Sequence, residues 1–178
     1  TGQKVPTASE AIKRLAAQGL VNHERYAGVT LTEEGMALAM GMVRRHRLLE
    51  TFLVQELGYT WDEVHADADL LEHACSDLFI ERLDAHLGSP TRDPHGDPIQ
   101  NAQGVIDVLE GDTLDRAPVG VPLIIERVCD EDPEFLRYLD RCGVDVGDEV
   151  VVQPSGRRST VVGIDVAGTA SEQAGPFP

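Results

Sequence analysis

The sequence predicts a mainly α-helical protein with small β elements, and two observations carry this prediction. Up to residue 87, apolar residues recur mainly at three- and four-residue spacing, which is typical of amphipathic helices. Beyond a stretch rich in Gly and Pro at 88–101, short β-branched runs punctuated by Gly and Asp replace that pattern. The length of 178 residues is sufficient for one ordinary domain or for two to three small ones.

The N-terminal part predicts a helix followed by a hairpin. Apolar residues within 7–18 share one helical face, and Gly19 is expected to end this helix. Within 20–32, two short β-type runs enclose a polar centre, which is typical of a small hairpin. Thr32 is the expected N-cap of the next helix, whose acidic first turn suits the helix dipole.

Three further helices are predicted before residue 88. The first is long and covers 33–57. The second begins near Trp61 and the third covers about 67–87, so that these two can merge. Gly88 ends the last helix, and the stretch 88–101 is predicted to be a linker or a structured crossover.

The C-terminal part predicts a small barrel-like β module with one inserted helix. Its β-type runs lie at 121–128, 149–152 and 160–166, and the helix covers 133–142. The small, polar tail at 167–178 is expected to be disordered, or else a truncated end.

Composition excludes several classes of protein. No apolar run of about 18 residues or more is present, so no membrane span is expected. Three cysteines without metal or disulfide spacing, and no signal peptide, predict a location in the reducing cytoplasm. The net charge is −16, yet residues 1–50 hold seven basic and five acidic residues, so this part can still contact nucleic acid.

A helix followed at once by a hairpin is typical of the second half of a winged helix-turn-helix. Short or basic side chains near the start of the first helix, Thr7, Ser9 and Lys13, suit contacts to base edges and phosphates. Arg25 and Tyr26 at the hairpin tip suit a wing on the phosphate backbone. The alternative is an ordinary surface helix and hairpin, because the earlier helices of such a domain have no counterpart here.

A stripe of histidines and carboxylates is the strongest functional signal. Spacings of three and four residues put these groups on one face of each of two helices that a short loop joins. If the two helices lie antiparallel, the faces can meet. The six residues are His46, Glu50, His65, Asp69, Glu72 and His73.

Six such groups would be costly to bury without partners, and a divalent cation removes that cost. The mixed nitrogen and oxygen donors suit Mn(II), Fe(II), Co(II), Ni(II) or Zn(II), and their number exceeds one tetrahedral site. The alternative is a solvated stripe with charge pairs to Arg44, Arg45 and Arg47. Because no H-E-x-x-H motif or activated nucleophile is present, a sensor or structural metal is expected rather than an enzyme.

Three segments of the chain resemble the diphtheria-toxin-repressor family, closest to its manganese-type branch (MntR). They are MVRRHRLLETFL at 42–53, DEVHADADLLEHACSD at 62–77 and SPTRDPHGDPI at 89–99. The resemblance implies a homodimeric, metal-activated transcriptional repressor. It also implies a partial winged helix-turn-helix domain at 1–36, a helical metal-binding and dimerisation domain at 37–100, and an SH3-like, FeoA-like domain at 101–178.

The resemblance also implies roles for the stripe. His46, Glu50 and His65 fall on the family's ancillary metal site, and Asp69, Glu72 and His73 fall on its primary, activating site. Asp69 stands where the iron-type branch has Cys, and a hard carboxylate oxygen lowers the advantage of thiophilic ions relative to Mn(II). Asp132 or Glu134 matches loosely a stretch that supplies ancillary ligands in some members.

At the DNA, the resemblance implies contacts from Pro6, Thr7 and Ser9 on the recognition helix, in addition to Lys13 and Arg25. The expected cofactor is Mn(II) or Fe(II), with other divalent transition metals possible. The expected partners are double-stranded operator DNA and a second copy of the chain, with Leu70, Ala74, Leu78 and Phe79 as the candidate dimer surface or as packing within the monomer.

The family's first two helices, which carry one primary-site ligand, have no counterpart here, so the sequence is expected to be N-terminally truncated. Two alternatives stay open. One is a metal-binding helical interaction fragment without DNA activity, and the other is a metalloenzyme.

Overall fold

The computed structural model describes residues 8–24, 28–101, 103–108, 111–114, 116–155, 158–164 and 170–171. Three of the predicted DNA contacts, Pro6, Thr7 and Arg25, lie outside these residues. The described residues form two compact units, of which the first ends at Arg45 and the second begins at His46. Within the described ranges, no helix combines the length and the apolar character needed to span a membrane.

The described residues are mainly helical with small sheets, as the sequence predicts. The helices are α1 (Ala8–Ala17), α2 (Glu33–Leu57), α3 (Val64–Glu72), α4 (Asp77–His86) and α5 (Pro133–Cys142). The strands are β1 (Val21–His23), β2 (Val29–Leu31), β3 (Pro122–Ile124), β4 (Glu149–Ser155), β5 (Arg158–Ile164) and β6 (Ala170–Ser171).

The first unit contains the predicted helix and hairpin. Gly19, at φ +75°, ends α1, and the Leu20 N–H donates to the Leu15 carbonyl at 3.0 Å. Strands β1 and β2 pair antiparallel with Val21 opposite Leu31. The start of α2 lies so close to this turn that a Cβ on Gly35 would meet the Leu20 carbonyl oxygen at 1.9 Å.

Thr32 performs the predicted capping role at the start of α2. Its Oγ1 accepts the Gly35 N–H at 3.0 Å and donates to the Gly19 carbonyl at 2.7 Å. One hydroxyl therefore caps α2 and holds the end of α1.

The second unit has a helical core and a smaller C-terminal core. The helical core is formed by the second half of α2 together with α3, α4 and the stretch after them. Its buried members are Leu48, Leu49, Leu53, Val64, Ala68, Ile80, Leu83 and Ile99. These residues recur at helical spacing, so burial of one face positions α2 and α3 with their polar faces side by side.

The predicted continuous helix over 67–87 is wrong, because α3 ends at Glu72 and α4 begins at Asp77. His73 occupies the C-cap of α3, and Ser76 is the N-cap of α4. The Ser76 Oγ accepts the Phe79 N–H at 3.3 Å, so its side chain satisfies a donor that a continuous helix would have bonded internally.

The Gly- and Pro-rich stretch at 88–101 is a structured crossover. Arg92 and Pro98 form an antiparallel bridge that closes a short loop. Within this loop, Asp93, His95 and Asp97 are buried. Three buried polar side chains in five residues are unusual for a surface connection.

The C-terminal core consists of Val128, Leu136, Leu139 and Val144, and Trp61 packs against it from the turn before α3. Strands β3, β4, β5 and β6 form, in that order, an open antiparallel sheet among the described residues. Helix α5 occupies its predicted range.

Two C-terminal predictions need correction. The β run predicted at 121–128 is a strand over Pro122–Ile124 alone, because the Val128 N–H donates to the His95 carbonyl at 2.9 Å instead of to the sheet. Strand β5 spans Arg158–Ile164 rather than 160–166. Of the tail that is predicted to be disordered, Ala170–Ser171 forms β6, and the rest lies outside the described residues.

Candidate metal centre

Three local features place α3 beside α2. Gly58 adopts φ +72° directly after α2, where a left-handed turn favours glycine. The Tyr59 N–H donates to the Leu53 carbonyl at 3.1 Å, and the Tyr59 hydroxyl donates to Asp67 Oδ2 at 2.6 Å. The turn after α2 is thereby held to α3, which brings the polar faces of both helices together.

His46 lies at the centre of this polar interface. Its Nε2 is 2.9 Å from Glu50 Oε1 and 3.0 Å from His65 Nδ1. Its Nδ1 is 2.9 Å from Glu72 Oε2 and 3.5 Å from Asp69 Oδ1. Four of the other five residues of the predicted stripe therefore converge on the His46 imidazole.

These residues form two donor groups, each with ligand atoms within 4.8 Å of one another. The first comprises His46, Glu50 and His65, and the second comprises His46, Asp69 and Glu72. His46 belongs to both groups, with one ring nitrogen toward each. Nitrogen and carboxylate oxygen donors without thiolate form a set that Mn(II) and Fe(II) accept.

His73 belongs to neither of these groups, although the sequence places it among the ligands. Its side chain is exposed at the end of α3, and its Nε2 lies 3.4 Å from Glu72 Oε1. Because α3 ends at this point, the predicted His65–Asp69–His73 face is not continued into a second helical turn. His73 remains near the second group without joining it.

The electrostatics of His46 follow from its two glutamates. Burial alone would lower the pKa of His46, but the hydrogen bonds and charges of Glu50 and Glu72 outweigh burial and raise this pKa from 6.5 to about 9. In the metal-free protein, the ring is therefore protonated at neutral pH. A cation bound between these carboxylates would take the place of that proton.

A third donor group was missed by the sequence analysis. It comprises Glu50, Asp93 and His95, all of them buried and with ligand atoms within 4.8 Å of one another. Asp93 and His95 come from the crossover loop, far from Glu50 in the chain. The signal that could have found them is an Asp-x-His pair in a Gly- and Pro-rich stretch at 88–101.

This third group has the properties of a cation site. His95 is only 1% exposed, and its Nδ1 is buried without a hydrogen-bond partner among the described residues. Its Nε2 lies 3.3 Å from the Trp61 carbonyl oxygen, and its ring packs edge-on against the Trp61 ring. Burial, assisted by the charge of Glu50, raises the pKa of Asp93 to about 6. A divalent cation would satisfy the orphaned nitrogen and neutralise both carboxylates.

Two arginines, Arg47 and Arg127, pair with carboxylates of the crossover loop. Arg47 Nη2 donates to Asp97 Oδ1 at 3.0 Å, and Arg47 Nε lies 3.6 Å from Asp93 Oδ2. Arg127 Nε donates to Asp97 Oδ2 at 3.0 Å. The alternative of charge pairs between the stripe and nearby arginines therefore fails for Arg47, which pairs with the loop.

Two of the predicted DNA contacts and the loosely matched metal ligands lie among the described residues. Ser9 and Lys13 are exposed on α1, four residues apart on one helical face. Asp132, a loosely matched ligand, is the N-cap of α5, and its Oδ1 accepts the N–H groups of Glu134 and Phe135 at 2.9 and 3.3 Å.

Two family models match the chain. One, described as the iron dependent repressor metal-binding and dimerisation domain, matches residues 32–101. The other, the FeoA domain, matches residues 113–170.

The chain is similar in sequence to curated proteins named as iron-dependent repressors. The chain is 41% identical over 97 residues to the iron-dependent repressor IdeR of Mycobacterium tuberculosis, a match that covers 54% of this chain and 42% of that protein. It thus spans less than half the length of that relative. It is 31% identical over 176 residues to IdeR of Mycobacterium leprae, covering 90% of this chain and 75% of that protein.

A solved structure is similar over most of the chain. It is described as a manganese-dependent transcriptional repressor in complex with manganese, and its TM-score is 0.81 at 46% identity. The similarity covers 93% of this chain and 77% of that one. The relatives and this neighbour confirm the predicted resemblance, and the chain belongs to the family of iron-dependent and diphtheria toxin repressors.

Proposed function

We propose that the chain is a metal-dependent transcriptional repressor that binds double-stranded operator DNA once Mn(II) or Fe(II) is bound. The observation that carries this proposal is the convergence of Glu50, His65, Asp69 and Glu72 on His46. These donors come from α2 and α3, so a bound ion would hold the two helices together. The names of the relatives, which are repressors dependent on iron or manganese, support the same function.

The donor types favour hard or intermediate divalent ions. Within the described residues, the candidate groups contain histidine and carboxylate but no cysteine. Carboxylate at Asp69 favours Mn(II) and Fe(II) over ions that seek thiolate. His73, next to the second group, completes the proposed ligand set after a change of its side-chain rotamer.

Two of the proposed DNA contacts, Ser9 and Lys13, lie on α1. Ser9 and Lys13 are exposed where a recognition helix would approach base edges and phosphates, and Pro6, Thr7 and Arg25 are the other proposed contacts. Metal binding raises the affinity for DNA only to the extent that the ion binds the DNA-competent state more tightly than the other states.

The proposed dimer surface lies on α3, α4 and the turn between them. Four apolar side chains are exposed there: Leu70, Ala74, Leu78 and Phe79. Their exposure supports an association surface over the alternative, which is packing within the monomer. Exposed apolar side chains grouped in this way are typical of an association surface, and the matching family model is one of dimerisation.

The proposed organisation is a DNA-binding domain at 1–36, a metal-binding and dimerisation domain at 37–100 and an SH3-like, FeoA-like domain at 101–178. We propose a cytoplasmic location and no catalytic residue. The C-terminal domain would then contact the helical domain through Trp61, which packs in the core of the former.

The test begins with calorimetric titration of Mn(II) into the metal-stripped chain. Saturable binding that is weakened in Asp69→Ala supports the metal assignment, and an unchanged response in that variant contradicts it. Selection of duplexes from a random-sequence DNA library, with Mn(II) and with chelator, then tests DNA binding.

The selection is repeated with the N-terminal segment of the Mycobacterium leprae relative fused to the chain. Metal-dependent enrichment of one duplex sequence supports the repressor. Metal binding without enrichment in either protein supports the interaction fragment, and metal-stimulated hydrolysis without DNA binding supports a metalloenzyme.

A further inference from the structure

Asp97 is held between two arginines that come from distant parts of the chain. Its Oδ1 accepts from Arg47 Nη2 and its Oδ2 accepts from Arg127 Nε, each at 3.0 Å. Arg47 belongs to α2, one turn before Glu50, and also donates through Nη1 to the Pro98 carbonyl. Arg127 lies in the segment between β3 and α5.

The two arginine contacts of Asp97, which we call the clamp, are shielded from water by burial. Asp97 is 6% exposed, so each of its oxygens depends on one guanidinium in place of water. Removing the carboxylate would leave two arginines facing a site from which their counter-charge has gone. The stripe and the metal donor groups do not include Asp97, and nothing in the proposed metal site uses it directly.

The clamp holds the loop that presents two metal donors. Asp93 Oδ1 accepts the N–H groups of His95 and Asp97, both at 2.9 Å. The Val128 N–H donates to the His95 carbonyl at 2.9 Å, and a Cβ on Gly96 would meet the Glu126 carbonyl oxygen at 2.0 Å. The loop is thus enclosed between α2 on one side and 126–128 on the other.

We propose that Asp97 is a positioning residue for metal binding, because its two arginine contacts hold the loop 93–97 with Asp93 and His95 beside Glu50. This inference rests on the proposed function and assigns to that site a determinant that is not itself a ligand.

Asp97 also favours metal binding in a second way, through its contact with Arg47. Its Nε lies 3.6 Å from Asp93 Oδ2, so Arg47 is within reach of a metal donor. While Asp97 engages Arg47 at 3.0 Å, the charge of this guanidinium is shared. Without Asp97, Arg47 would neutralise Asp93 and compete with the incoming cation.

Trp61 provides a local signal for the test. It is the single tryptophan of the chain, and the centroid of its ring lies 5.7 Å from that of His95. Mn(II) is paramagnetic, so an ion bound by His95 is expected to quench Trp61 emission. Calorimetry with Mn(II) alone measures total binding, and quenching reports the ion next to His95.

The experiment compares Asp97→Asn with Asp62→Asn in the full chain. Asp62 is the matched control, because its Oδ2 also accepts from an arginine, Arg137, at 3.0 Å, while its Oδ1 accepts from the Thr60 hydroxyl at 2.9 Å. We expect Asp97→Asn to raise the Kd from quenching by about tenfold or more, the loss typical of groups that orient metal ligands. Asp62→Asn is expected to bind as the parent chain does.

A positioning role is distinguished from a general loss of stability by Arg127→Gln. This variant should give the same defect as Asp97→Asn, and combining both changes should add little, since they remove one clamp. It also serves as the second variant if Asp97→Asn does not fold. Thermal unfolding of the metal-free proteins identifies a common loss of stability.

Four results would overturn the proposal. They are parent-like quenching in folded Asp97→Asn, parent-like quenching in Arg127→Gln, equal weakening in Asp62→Asn, and Mn(II) binding to the parent chain without quenching of Trp61. In each of these cases the proposed function still stands. If the parent chain does not bind Mn(II) at all, the proposed function fails together with the role of Asp97.

Discussion

His46 and Glu72 are 26 residues apart in the chain, yet His46 Nδ1 lies 2.9 Å from Glu72 Oε2. The contact joins α2 to the last residue of α3. Since the other ring nitrogen of His46 faces Glu50, both nitrogens are engaged by carboxylates from different helices. The carboxylates of Glu50 and Glu72 therefore flank an imidazole whose proton a bound metal ion would displace.

Glu72→Gln should weaken Mn(II) binding by about tenfold or more, because it removes a donor charge from the second group. It should also lower the pKa of His46, which the charge of Glu72 helps to raise. Calorimetry measures the first effect, and NMR titration of the imidazole measures the second. Glu81→Gln, on the exposed surface of α4, is the control, and equal loss in both variants would contradict the site.

His73→Ala should weaken Mn(II) binding, whereas His86→Ala should not. Both are exposed histidines beside a glutamate, at 3.4 Å from Glu72 and 3.7 Å from Glu56 respectively. They differ in their neighbourhood, since Glu72 belongs to a donor group. Titration of Mn(II) into both variants decides the matter, and parent-like affinity in His73→Ala would remove His73 from the proposed ligands.

The metal-free chain should lose stability as the pH rises toward 9. His46 titrates near 9 when folded and near 6.5 as the free side chain, so its favourable interactions are fully present below about 6.5. They are lost as the pH passes through about 9, where the folded protein releases the proton. Thermal unfolding between pH 6 and 9.5 checks this, and His46→Gln should flatten the profile. A parent profile as flat as that of His46→Gln would refute the prediction.

Gly96→Ala should destabilise the chain more than Gly88→Ala does. Both glycines have positive φ, +89° and +76°, for which an L side chain costs about 1–2 kcal/mol. Only at Gly96 would the added Cβ also meet backbone, the Glu126 carbonyl oxygen at 2.0 Å, while nothing lies within 4 Å at Gly88. Urea unfolding compares the two variants, and equal losses would show that the loop does not pack on 126–128.

Leu48→Ala should cost about 2–5 kcal/mol of the free energy of unfolding, because Leu48 is 0% exposed in the helical core. Leu57→Ala, on the same helix but 58% exposed, should cost far less. Equilibrium unfolding in denaturant measures both. Similar losses would mean that the second half of α2 does not form the core described above.

Much of the local structure follows from the sequence, because caps, turns and helical spacing act over a few residues. The ranges 33–57 and 133–142 were predicted as they are found, and Thr32 and Gly19 have their predicted roles. The break in 67–87 was not predicted, since the apolar spacing continues across it, whereas the backbone of Ser76 is extended and its hydroxyl caps α4.

The sequence by itself determined which residue types occupy the polar faces of α2 and α3, and so pointed to the six stripe residues as a candidate metal site. Only the tertiary structure decided that five of them meet at His46 while His73 does not. It also brought Asp93 and His95 against Glu50, and Asp97 between two arginines. The physical reason is that helical spacing assigns a residue to a face, whereas burial of a distant loop depends on contacts that no local pattern contains.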